Sequence, residues 1–303
     1  MKYDIIVIGA GIAGLTAAIY SKRAGKNVLV LESRTYGGQI VNTPSIENYP
    51  AAMGISGFEF ATKIYEQTIT LGAEIKFENV MSITDGKIKT VHTNQNDYQS
   101  PVVIIATGSK NRQLGLPNEE KLIGKGISYC ATCDGAFFKN KVVAVIGGGN
   151  TAVEDALYLA GVAQKVYVIH RRNQFSAESV MVEQLQKQPN VEFIFDAQVT
   201  ELIGEQKLSA ININTNNQAR IINIDGLFVA VGRVPENEKF ANVVTLDQHG
   251  YIIAGENCET STPGIFTAGD CRTKEIRQLV TAAGDGAVAA NHAIQYLNQL
   301  NQD

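Results

Sequence analysis

Two short runs of the chain are apolar at every position rather than at alternate ones, the pattern of a strand buried on both faces of a parallel sheet. The first, Ile5 to Ile8, breaks at once into Gly9-Ala10-Gly11-Ile12-Ala13-Gly14. An amphipathic stretch, predicted as a helix over Leu15 to Ala24, then stops at Gly25 and leads into a second strand, Asn27 to Leu31. The same succession recurs from Val142: a strand to Ile146, the turn Gly147-Gly148-Gly149-Asn150-Thr151-Ala152, a helix over Val153 to Gly161, and a strand from Lys165 to Ile169. Strand, glycine turn, helix and strand, met twice, predict an α/β fold with two Rossmann-like dinucleotide-binding domains.

Each turn carries its own chemistry. Gly9 permits the tight bend, Gly11 lets backbone approach a pyrophosphate, Gly14 lets the helix lie close on the sheet, and the helix N-terminus presents N–H groups to phosphate. Glu32, 21 residues after Gly11, ends the second strand where a carboxylate accepts from a ribose diol. The second turn ends with Ala152 in the third glycine position, and its partner strand closes on His170-Arg171-Arg172. An acid there would repel a 2′-phosphate, whereas a guanidinium binds it, so the second unit reads as an NADPH site.

The C-terminal third assigns the first unit to a flavin. A short buried strand closes on Gly269-Asp270, and Gln278 to Gly286 lead into a helix expected from about Ala287 to Leu297. An acid at a strand end before a glycine-punctuated helix suits a ribitol hydroxyl and a flavin edge, although Asp270 and Asp285 also suit plain caps or turns. Ala106-Thr107-Gly108 and Val231 to Pro235 are strand-to-glycine breaks where the chain changes domain. The NAD(P)H domain, residues 113–239, is therefore expected to be inserted into a FAD domain made of 1–112 and 240–303, with crossings near Asn111–Pro117 and Val234–Phe240.

Composition narrows the picture. With 303 residues, 45% hydrophobic and 18% charged, the chain is of two-domain globular size, and a net charge of −4 gives no footprint for nucleic acid or an anionic membrane. No signal peptide or membrane span is read from the sequence, so a cytoplasmic location is expected. In such a compartment the four cysteines, 130, 133, 258 and 271, are not a disulfide framework. Cys130-Ala131-Thr132-Cys133 would close too small a loop to stabilise much, and no second close Cys or His pair completes a zinc site. It reads as a redox dithiol. Asp134, next in line, either supplies a proton to a released thiolate or caps the following turn. Cys258 and Cys271 read as buried, inert thiols.

These motifs resemble the low-molecular-weight, bacterial-type thioredoxin reductases over essentially the whole chain. The resemblance is carried by Cys130 to Gly135 with Phe137 and Phe138, Gly9 to Gly14, Gly37-Gly38-Gln39, Ile46 to Pro50, Gly147 to Ala152, His170 to Arg172, Gly269-Asp270 and Arg277 to Gly286. It implies a homodimer and noncovalent FAD on Gly9, Gly11, Ala13, Gly14, Glu32, Gly38, Gln39, Asn48, Ala106, Thr107, Gly108, Gly269, Asp270, Arg277 and Gln278. It implies NADPH on Gly147, Gly149, Asn150, Thr151, Ala152, His170, Arg171 and Arg172. It further implies a Cys130–Cys133 disulfide with Cys133 next to the flavin, Asp134 as proton donor, and thioredoxin as the protein acceptor.

Two positions depart from the family pattern. Ser176 stands where an arginine is expected beside the 2′-phosphate, a loss of about 1–3 kcal/mol that weakens preference for NADPH. Ala51 stands where a glycine commonly follows Tyr49-Pro50. Ferredoxin or NADH as donor is the competing enzyme reading, and a flavin-binding redox sensor is the competing reading of another class. Because the dithiol and the nicotinamide site share one domain while the flavin lies in the other, a hinge motion between the domains is expected.

Overall fold

The computed structural model describes residues 3–43, 45–46, 48–215 and 218–300. The chain forms two compact units, one of Met1–Lys110 with Val234–Asp303, the other of Asn111–Arg233. Both crossings come earlier than the 112/113 and 239/240 boundaries expected from the sequence. The segment after Arg233 stays with the first unit because its polar and apolar groups are committed there. Buried Asn237 accepts from Thr107 Oγ1 at 3.1 Å and donates to the carbonyls of Gly250 and Cys271, each at 2.9 Å. Phe240 is then fully buried among Val80, Ile83 and Val91. The crossing segments themselves, Ser109–Asn111 and Arg233–Pro235, run as a two-stranded sheet.

In the first unit a five-stranded parallel sheet is ordered Ile265–Thr267, Val102–Ile105, Ile5–Ile8, Val28–Glu32, Glu74–Phe77. Both faces are covered. Ile5, Val7, Val28, Val30, Val102 and Ile104 enter one core and Ile6, Ile8, Leu29, Leu31, Val103 and Ile105 the other, which is why these strands are apolar at every residue. Helices α1 (Ile12–Arg23), α2 (Gly57–Thr70) and α7 (Leu279–Leu300) belong to this unit, as does an antiparallel meander of Val80–Thr84, Lys89–Thr93 and Asp97–Ser100.

The second unit repeats the plan. Its parallel sheet is ordered Val191–Ile194, Lys165–Ile169, Val142–Ile146, Gly226–Val229, Ile127–Ser128, with α3 (Glu119–Leu122), α4 (Ala131–Asp134), α5 (Asn150–Ala160) and α6 (Ser179–Gln186). A second meander, Ala197–Ile203, Ala210–Thr215 and Gln218–Asn223, accompanies it. In both sheets the strand that feeds the glycine turn is central, with its neighbours departing to opposite sides, the switch-point position where such sheets bind nucleotides.

Three helix limits differ from expectation. α1 and α5 begin inside the glycine motifs, at Ile12 and Asn150, because the motif residues are the first helical turn. α7 begins at Leu279 rather than near Ala287. Gly284 and Gly286, read as punctuation, lie within it, since a Cβ at Gly286 would come 2.2 Å from the Ala13 carbonyl oxygen of α1. Close crossing of two helices, not a break, required that glycine. Among the described residues no helix is long and apolar enough to cross a membrane.

Candidate functional site

In the first unit the turn at Gly9 bends where a side chain could not follow. Its φ is +110°, and a Cβ would stand 2.3 Å from the Ala106 carbonyl oxygen on the neighbouring strand. A Cβ at Gly11 would instead meet nothing within 4 Å, and α1 starts from Gly11 without a side-chain cap. Gly37 N–H donates to Ala10 O at 2.7 Å, bringing Gly38 against Gly11, while Gln39 beside it is exposed. Glu32 accepts from Ala10 N–H at 2.8 Å and from Arg34 N–H at 3.0 Å. A carboxylate has about four lone-pair sites, so Glu32 can brace the turn and still accept from a ribose.

Asn48 Nδ2 donates to Gln278 Oε1 at 3.2 Å, joining two segments that the sequence separates widely. Glu47, part of the same expected motif, lies outside the described residues. The Gly269–Asp270 turn is held by Asp285, whose Oδ2 accepts from Gly269 N–H at 2.9 Å. Asp285 is therefore neither cap nor turn residue. It is a buried carboxylate clamped by Arg272 Nε and Nη2 at 2.9 and 2.8 Å and by Lys274 Nζ at 2.8 Å. Burial alone would raise its pKa, but Arg272 and Lys274 overcome that and hold it below the usual carboxylate range. Arg277 lies 4.1 Å over the Tyr251 ring, and its buried Nε has no acceptor among the described residues. An open glycine, an uncapped helix start and a buried cationic donor lacking its acceptor fit a dinucleotide of the FAD kind.

The second unit offers an equivalent turn with a different neighbour. Gly147 has φ +153°, and a Cβ there would meet Ala230 O at 2.4 Å. Gly149 is open and α5 starts uncapped. Asn150 and Thr151 are exposed at that start, Asn150 Oδ1 accepting from Glu178 N–H at 3.0 Å, and Ala152 is buried. A hollow of about 420 Å³ beside the turn is lined by Arg171, Arg172, Asn173, Gln174, Phe175, Ser176 and Asp196. Two guanidiniums in an open hollow fit a phosphorylated ribose. His170 does not line it. It is buried, stacked on Phe175, and lies under Gly148, where a Cβ would strike the imidazole at 2.2 Å. Burial lowers its pKa, and Arg172 adds to that effect. Ser176 binds the Gly148 carbonyl through its N–H at 2.7 Å and its hydroxyl at 3.1 Å, so it anchors the turn where the family's arginine would extend into the hollow.

The dithiol lies in this same unit. Cys130 and Cys133 are half-buried and joined as a disulfide across the single turn of α4. Asp134 makes no capping bond; instead its Oδ2 accepts from Ser128 Oγ at 2.7 Å. Its Oδ1 is buried without a hydrogen-bond partner among the described residues. Burial pushes this carboxyl upward against the opposing pull of Ser128. Of the two readings left open at Asp134, the arrangement favours the proton carrier. Cys258 and Cys271 are buried and free, their thiols raised chiefly by burial, Cys258 to about 12.

Sequence reading missed Ser128, Asn237 and the cations Arg272 and Lys274 that clamp Asp285, each of which holds a motif residue from outside the motif. The charges at 272 and 274, close after a Gly-Asp strand end, were the available signal for the cluster; the other two had none.

Residues 3–286 match the family of pyridine nucleotide-disulphide oxidoreductases. The chain is 42% identical to a thioredoxin reductase of Listeria monocytogenes, covering 99% of this chain and 95% of that one. It is 39% identical to one of Bacillus subtilis, covering 99% and 96%. A solved thioredoxin reductase of Streptococcus pyogenes superposes with a TM-score of 0.94 at 41% identity, covering 98% of this chain and 99% of that one.

Proposed function

The chain belongs to the pyridine nucleotide-disulphide oxidoreductase family, and on that premise we propose that it is a thioredoxin reductase passing two electrons from NADPH, through FAD, to the Cys130–Cys133 disulfide and on to thioredoxin. The observation that carries this reading is the disulfide itself, half-buried beside an acid whose pKa burial raises and in the same unit as a glycine turn flanked by arginines.

The residues divide the work. Gly9 to Gly14, Glu32, Asn48, Arg277, Gln278 and the turn braced by Asp285 hold the flavin dinucleotide. Gly147 to Ala152 with Arg171 and Arg172 hold NADPH, His170 supporting the turn from below. When two electrons enter, the S–S bond breaks; one sulfur leaves as thiolate and takes the Asp134 proton, and Ser128 keeps that carboxyl aimed. The reduced pair then attacks the thioredoxin disulfide, forming a mixed disulfide that the second sulfur resolves. The proposal includes a homodimer acting in the cytoplasm.

The test mixes the purified chain with NADPH and thioredoxin and follows nicotinamide absorbance. Thioredoxin-dependent oxidation, abolished in both Cys130→Ser and Cys133→Ser, is the expected result; oxidation that ignores thioredoxin or survives either change rejects it. NADH in place of NADPH identifies the donor, and sedimentation velocity gives the oligomeric state.

A further inference from the structure

The hollow beside the second glycine turn contains an acid that a phosphate site does not call for. Of the residues that line it, Arg171 and Arg172 are cations, Asp196 is an anion, and Ser176 brings no charge. The backbone fixes this neighbourhood. Strands Lys165–Ile169 and Val191–Ile194 pair in parallel, and hydrogen bonding continues past their ends. His170 N–H donates to Ile194 O at 2.9 Å, Ala197 N–H to His170 O at 3.1 Å, and Asp196 N–H to Arg172 O at 3.3 Å. Phe195, the residue before the acid, packs edge-on against Phe175 of the hollow with ring centroids 5.2 Å apart. We propose that Asp196 is a specificity-determining residue for the nicotinamide donor, opposing a 2′-phosphate and accepting from the free 2′-hydroxyl that stands in its place. This rests on the reading of the hollow as the seat of the donor's adenosine ribose.

Among the described residues none of these three charged side chains has a hydrogen bond or an ion pair. A ligand entering the hollow therefore meets two available guanidiniums and one available carboxylate. A ribose phosphate carries about −1.5 to −2 charges at neutral pH, so the guanidiniums attract it and the carboxylate repels it. A ribose diol is uncharged, and its hydroxyls donate to an ionised carboxylate, which can only accept. One side chain thus works against NADPH and in favour of NADH. The backbone at this position also restricts which residues fit: Asp196 has φ +49°, a left-handed conformation that Asp, Asn and Gly adopt more readily than other residues.

The size of the effect follows from Coulomb's law across an open, solvated hollow, where the effective dielectric is high and salt screens the remainder. Removing the negative charge is worth about 3- to 10-fold in affinity for a 2′-phosphate at low salt. That is enough to narrow the choice between two donors that differ by this phosphate alone. Ser176 and Asp196 act in the same direction, one by lacking a positive charge and the other by supplying a negative one.

The experiment titrates the purified chain with adenosine 2′,5′-bisphosphate by calorimetry, with adenosine 5′-monophosphate as the ligand lacking the 2′-phosphate. Asp196→Asn and Asp196→Gly both remove the charge and both accept the left-handed backbone, so one remains informative if the other fails to fold. Each is expected to bind the bisphosphate about 3- to 10-fold more tightly than the parent, and the monophosphate no more tightly. The gain is expected to narrow as salt rises from about 0.01 M to about 0.15 M, where the screening length falls from about 30 Å to about 8 Å; a change of pocket shape would give no such dependence. Bisphosphate binding that is unchanged or weaker in both variants, an equal gain for the monophosphate, or a gain indifferent to salt overturns the proposal. Failure of parent and variants alike to bind the bisphosphate also overturns it, because the hollow is then no phosphate site. Thioredoxin does not enter the measurement, so NADPH-to-thioredoxin turnover can stand or fall separately.

Discussion

A carboxyl kept from water retains its proton to higher pH, and Asp134 is in that position beside the dithiol. Its raised folded-state pKa fixes two signs. The proton favours folding fully below the unfolded value, and that contribution is lost as pH rises through the folded value. Turnover that needs a protonated Asp134 falls through the same upper limit. Asp134→Asn is expected to lower thioredoxin-dependent turnover about 100- to 10,000-fold, the usual worth of a positioned proton carrier, while FAD absorbance of the purified protein stays unchanged. Ala51 presents strain of another kind. Its φ of +64° is a left-handed conformation that costs a non-glycine residue roughly 1–2 kcal/mol. Ala51→Gly relieves it, less the entropy glycine loses on folding, so a gain of up to about 1 kcal/mol is expected by denaturant titration. Ser176 bears on the donor. With its hydroxyl on Gly148 O and Asp196 lining the same hollow, the pocket proposed for the phosphate has two guanidiniums and an opposing acid. Ser176→Arg is expected to raise the ratio of kcat/KM for NADPH over NADH about 5- to 150-fold, the equivalent of 1–3 kcal/mol for one charge-assisted contact.

Between elements, the crossing of α1 and α7 decides whether the first nucleotide turn has its shape. Gly286 allows contact with Ala13, Ala289, Ala290 and Ala293 continue a narrow face, and Asp285 reaches from α7 to the Gly269 turn. Arg272→Met leaves Asp285 buried with only Lys274 as its cation, and breaking such a pair costs about 3–5 kcal/mol. That loss is expected in denaturant unfolding, together with weaker FAD retention on gel filtration. Because the Asp285 carboxyl is depressed, the cluster stabilises the parent above the unfolded-state pKa and fails as pH falls through the folded one; the variant is expected to lose much of that acid sensitivity. This element pair also shows how far the sequence could be read. The strands were legible because burial on both faces leaves no polar position, and the glycine turns because phosphate approach excludes side chains. The start of α7 was not, because a glycine that ends a helix and one that lets two helices touch look alike until the partner helix is known. Ser128 was illegible for the same reason: it holds Asp134 through a contact that local spacing does not encode.

At the scale of the molecule, one plan is used twice, in the proposed function for two ends of a single electron path. Each unit has a parallel sheet, a central strand feeding a glycine turn and a three-stranded meander. Their binding residues differ in kind: Glu32 closes the first nucleotide strand, Arg171 and Arg172 the second. The residues proposed for the nicotinamide and the dithiol occupy the same unit, residues 111–233, whereas those proposed for the flavin occupy the other. In the proposed cycle donor and disulfide must each meet the flavin, and the disulfide must also meet a separate protein, so one fixed arrangement cannot serve every step. The two crossings suit a hinge, since Gly108 and Gly232 beside them have φ of +69° and +103° and are free to change conformation without side-chain strain. A covalent crosslink from one unit to the other is therefore expected to slow NADPH-to-thioredoxin turnover sharply, and cleaving that crosslink to restore it. Full-rate turnover with the crosslink intact would mean that a single arrangement suffices and that the hinge has no part in the cycle.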